Sequence, residues 1–148
     1  MPDAVLHLHF ADLHADNSSL AEDWELLLRV VADFRIAVAG KVLYEEPEFC
    51  VVEFGVQAIE WVHKLAHRGD FIYQTMEAEE PGFVWVKRHG TGWQIGSIYQ
   101  SFEATEMPLN EITSAIEDYW LRLHKTVRER FGRDIGTLLP LTARLRRP

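Results

Sequence analysis

Between Pro108 and Gly132 the apolar residues Ile112, Ile116, Tyr119, Leu123, Val127 and Phe131 recur every three or four positions. That spacing puts them on one face of an α-helix. Pro108 and Asn110 suit its start, and Gly132 suits a left-handed stop. At about 1.5 Å per residue the helix runs roughly 33 Å, enough to cross a whole sheet. A stripe this long must be buried, so the rest of the chain has to supply a surface that receives it.

Strands are expected to supply it. From Val5 to Leu13 the chain alternates: Leu6, Leu8 and Phe10 point one way, His7, His9 and Ala11 the other. Val30, Ala32, Phe34, Ile36 and Val38 alternate with Asp33 and Arg35, and Ala39-Gly40-Lys41 reads as a tight turn into a strand that Pro47 ends. Further strands are expected at Phe71–Glu77, Phe83–Arg88 and Trp93–Phe102, the last two joined by the loop His89-Gly90-Thr91-Gly92. From Phe49 to His67 the period turns helical at Val52, Val56, Ile59 and His63, and Gly69 stands where a C-cap glycine belongs. Ser19 with Glu22 fits a capping box and a short helix over 20–28; a single long strand over 25–39 is the alternative. The fold class is α+β: an antiparallel, meander-like sheet of about five to six strands with two main helices packed on one face. Residues 1–134 are expected to form one domain and 135–148 a basic tail.

The chain has 148 residues, 47% of them hydrophobic and 11% aromatic, sufficient for a core without cross-links. The one cysteine, Cys50, leaves no intramolecular disulfide, which with the absence of a leader-like N-terminus favours the cytoplasm. No stretch has the apolar length of a membrane span. The net charge of −8 is unevenly placed: residues 1–121 hold 21 acidic and 7 basic side chains, net −14, and residues 122–148 hold 2 and 8, net +6. An acidic body repels nucleic acid and favours a basic protein partner.

Glu-Glu-Pro occurs at Glu45-Glu46-Pro47 and again at Glu79-Glu80-Pro81. Such residues end strands and solvate loops; together the two loops would also form one negative patch. Trp85 and Trp93 flank the glycine loop and are expected to pack across the hairpin ladder, an exposed ring there serving as a binding anchor. Glu60, His63 and His67 would share a helix face and form a weak metal-ligand set, although Glu-x-x-His-x-x-x-His is not a zinc motif; a solvated helix end explains them as well. His7 and His9 leave one face of a strand and are a second ligand pair or an exposed strand edge. Cys50 near a helix start is a nucleophile by position, but its apolar surroundings favour a buried structural thiol. No cofactor motif is present: Gly90, Gly92 and Gly96 do not match G-x-G-x-x-G.

The runs Val42–Pro47, Glu80–Trp85 and Gly92–Ser97, with Trp61 on a helix between them, resemble small bacterial proteins of uncharacterised families, of the type that includes immunity proteins of toxin–immunity systems. The resemblance spans roughly residues 30–130, carries no catalytic residue onto the chain and implies a binding role. The expected function is therefore non-enzymatic: an acidic face built from Glu45, Glu46, Glu79 and Glu80 steers a basic protein, with a nuclease toxin as one candidate, and Trp85 and Trp93 anchor it. The alternatives are a small-molecule site or enzyme using Glu80, His89 or Tyr99, and a homo-oligomer in which the basic tail docks on an acidic body.

Overall fold

The computed structural model describes residues 6–15, 20–64, 69–75, 83–98 and 106–139. The chain folds as α+β: the described residues form two three-stranded antiparallel sheets and three helices. The first sheet has the order β1 (Leu6–Ala15), β2 (Val30–Val38), β3 (Lys41–Phe49). The second has the order β4 (Phe71–Ile72), β5 (Trp85–His89), β6 (Gly92–Gly96). Six strands match the sequence expectation, but they divide between two sheets.

Both alternatives for residues 20–39 are partly realised. A helix, α1 (Asp23–Arg29), passes directly into β2. Its cap is Glu22, three residues beyond the expected Ser19, and the Glu22 N–H donates to the Glu25 carboxylate at 2.9 Å. Ser19 itself lies outside the described residues. The β2–β3 hairpin turns at Ala39 and Gly40, whose φ values of 52° and 82° belong to the left-handed region that tight hairpins require.

Helix α2 (Val51–His63) lies at the centre, and Phe54 is its hub. The Phe54 ring touches Phe34 and Phe49 of the first sheet, Phe71 of the second, and Tyr119 of helix α3 (Leu109–Phe131). Helix α2 ends at His63, with an extended Lys64 as its C-cap, so Gly69 does not cap it. Instead the Gly69 carbonyl accepts from the indole N–H of Trp61 at 2.8 Å. The aromatic side chains around residues 61–71 thus override the glycine signal.

The expected stripe on α3 is buried at Ile112, Ile116, Tyr119, Leu123 and Val127, and Gly132 caps the helix with φ 69°. Gly55 is what lets α3 approach α2: a Cβ there would lie 3.0 Å from Leu123 and 3.3 Å from Tyr119. The Tyr119 hydroxyl donates to the Val51 carbonyl at 2.9 Å. Phe34 contacts both Phe54 and Tyr119, so both main helices cover the same face of the first sheet. Beyond α3, residues Ile135–Leu138 form a 3-10 turn with Ile135 and Leu138 in the core. The start of the expected tail thus packs on the body; residues 140–148 lie outside the described set. Among the described residues no helix is long and apolar enough to cross a membrane.

Candidate functional site

With one face of the first sheet covered by helices, the other is left to carry polar groups. The ladder sets out that outer face row by row: His7 opposite Ala37, then His9, Arg35 and Glu45, then Ala11 opposite Asp33. At its end His14 of β1 reaches Glu48 of β3, with Nε2 3.3 Å from the carboxylate. Among the described residues β3 pairs with β2 alone.

Glu45 and Glu46 are neighbours in sequence but not in space. Glu45 leaves the outer face and meets Arg35 Nε at 2.6 Å, with both side chains about half exposed. Glu46 stands opposite Phe34 and accepts from the Tyr44 hydroxyl at 3.3 Å, toward the helix-covered side. Alternation along a strand forces this split. The carboxylate that joins Glu45 on the outer face is Glu48, which the sequence reading did not single out. Register shifts in the β2–β3 ladder, and Glu48's own left-handed φ of 52°, turn it there. A bulge leaves no reliable mark in sequence, although Pro47 just before it is a hint. Glu79 and Glu80 lie outside the described residues.

Trp85 and Trp93 do not pack across the ladder. The loop Gly90-Thr91 pairs His89 with Gly92 and Trp85 with Gly96. Odd-numbered residues of β5 therefore oppose even-numbered ones of β6, and two odd-numbered residues face opposite sides. Trp93 turns inward, 7% exposed, against Trp61 with centroids 5.9 Å apart, and Arg88 lies over its ring. Trp85 turns outward and lies flat over Gly96, where any Cβ would collide with the indole. Lys87 Nζ sits 4.7 Å from the Trp85 ring centre. Ile72, opposite Trp85, is exposed beside it.

The other candidates are scattered. Glu60 is half-buried and His63 exposed on the last turn of α2; His67 lies outside the described residues, past the helix end. Among the described residues no group of three or more histidine, cysteine or carboxylate side chains could hold a metal. Cys50 is buried, with its sulfur 3.7 Å from the Leu28 carbonyl. His89 Nδ1 lies 3.2 Å from the Glu106 carboxylate, and Tyr99 is outside the described set.

The interior holds a buried carboxylate that sequence gave no sign of. Glu53, 1% exposed in the first turn of α2, accepts from the Tyr73 hydroxyl at 2.6 Å. Burial first, and then the neighbouring Glu53 charge, push the Tyr73 hydroxyl well above its ordinary pKa, so it stays a donor. The helix N-terminus further favours a carboxylate at Glu53. Next to this contact the Gln57 amide both donates to and accepts from the backbone of Gln74. These contacts strap residues 73–74 to α2: the Tyr73–Glu53 bond is buried, and the Gln57–Gln74 pair lies at the surface.

A family described as a domain of unknown function, DUF7878, matches residues 6–129. The chain belongs to the DUF7878 family. The DUF7878 match begins at the first residue of β1 and ends in the last turn of α3, so it takes in both sheets and all three helices. No curated protein and no solved structure matches the chain.

Proposed function

We propose that this DUF7878 protein is a non-enzymatic binding protein that receives a basic protein partner on its acidic side, as an immunity-type inhibitor would receive a basic toxin. The observation that carries this reading is the placement of Glu45 and Glu48 together on the outer face of β3, with Glu46 on the same strand. Arg35 holds the Glu45 carboxylate in place without burying it, so the group is oriented and still reachable. An exposed pair of this kind adds less than about 1 kcal/mol to stability, so selection for stability alone gives little reason for it. Exposed carboxylates instead speed the encounter with a positively charged surface. Trp85, on the second sheet, is a further contact surface in this reading.

The test is affinity capture from source-cell extract at low and high salt, using the wild type and an E45Q/E48Q variant. The captured protein is then identified and purified. The reading expects a basic protein retained at low salt, released at high salt and lost from the variant. Capture of an acidic protein, or equal retention by the variant, contradicts it.

A further inference from the structure

His7 and His9 stand two residues apart on β1, so both side chains leave the same face of the sheet. Their rings stack, with centroids 5.4 Å apart and planes 16° from parallel. Both are exposed, and among the described residues no hydrogen bond holds either ring. A strand thus does for this pair what a helix does for residues four apart: it fixes two imidazoles side by side without help from a loop.

Two cations lie near the pair: Arg35 stands opposite His9 on β2, and Arg122 lies over the ring of neighbouring Phe10. The two arginines would repel a cation if unopposed. Each is countered: Arg35 by Glu45 at 2.6 Å, and Arg122 by Asp118 at 2.9 Å. Opposite His7 is Ala37, whose side chain adds no charge beside the ring.

We propose that His7 and His9 form a two-point chelating site for a divalent transition-metal ion of the Ni2+, Cu2+ or Zn2+ class. Imidazole nitrogen is a preferred ligand for these ions. The stacked rings must turn toward each other for one nitrogen of each to meet a shared ion at the usual distance of about 2.0–2.1 Å. Water fills the remaining positions, since no third protein ligand joins the pair among the described residues. The site is separate from the acidic strand: β1 and β3 are two strand spacings apart, roughly 10 Å. It does not depend on the protein-binding reading.

The test is calorimetric titration of untagged protein with NiCl2 and ZnCl2, in the wild type, H7Q, H9Q, the H7Q/H9Q double variant and, as a control, H63Q. Both rings are exposed, so the variants should keep the wild-type melting temperature. One ion per chain is expected, weakened about tenfold or more by either single substitution, because a chelate loses its second point of attachment. H63Q should bind as the wild type does. The proposal is overturned if the wild type shows no saturable binding, if the double variant binds as well as the wild type, or if only one of the two histidines matters.

Discussion

The first sheet is made of strands of ten, nine and nine residues, the second of strands of two, five and five. Both turn an apolar face toward α2, yet their outer faces differ in kind. The first presents histidines, Arg35 and carboxylates in charge-paired rows. The second presents Ile72 and the Trp85 ring lying over Gly96. Long strands hold their own register through many ladder bonds, so their outer side chains need contribute little to packing and can stay wet. A two-residue strand cannot. The second sheet is instead held by Tyr73 and Gln57 against α2 and by an indole laid across its outer face. The outer face of the first sheet is therefore left charged and exposed, while much of the second sheet's side-chain chemistry is spent on holding itself together.

Phe54 joins the two sheets, so F54A should break both at once. Removing this buried ring should cost about 3–5 kcal/mol, read from urea unfolding. Loss of amide-exchange protection in the second sheet only would contradict a shared hub. G96V separates the two: it should expel the Trp85 ring, cost about 1–3 kcal/mol and red-shift tryptophan emission, while exchange in β1–β3 stays unchanged. Y73F should fall toward the low end of about 1–3 kcal/mol, because it leaves the Glu53 carboxylate without that donor.

The Tyr73 contact also fixes the sign of an alkaline effect. Its hydroxyl is raised in the folded state by burial first and Glu53 second, and Tyr119 is raised by burial. Stability from these groups is full below the unfolded tyrosine value of about 10 and is lost as pH rises above it. Y73F should flatten part of that decline, measured as melting temperature between about pH 8 and 11. An unchanged slope would mean that Tyr73 is not held as the geometry indicates.

These two regions were not equally legible in sequence. The first sheet was: Leu6, Leu8, Phe34 and Ile36 alternate cleanly, and Ala39-Gly40 marks its turn. The α3 stripe was too, because a long period outweighs local exceptions. What stayed hidden depends on contacts between distant residues. Gly69 carries a helix-stop signal, but Trp61 uses its carbonyl instead. The opposite facing of Trp85 and Trp93 follows from a two-residue loop whose length the glycines alone do not fix. Glu48 reaches the outer face through a bulge, and Glu53 meets Tyr73 across twenty residues of chain. Within the candidate site, Glu45 could be read from charge and position, whereas its pairing with Arg35 could not.

The smallest expected effect on stability falls on the face proposed to bind. E45Q and E48Q should each change unfolding free energy by less than about 1 kcal/mol, because exposed ion pairs add little. A larger loss would make this face a stability element like the second sheet and remove the contrast between them.

The most direct measurement is the association rate of the purified partner as ionic strength rises from about 0.05 to 0.5 M, for the wild type and for E45Q/E48Q. If the outer face of the first sheet steers a basic partner, the wild-type rate falls steeply with salt, and the variant starts slower and falls less. A rate that is independent of salt, or equal in the two proteins, contradicts the account.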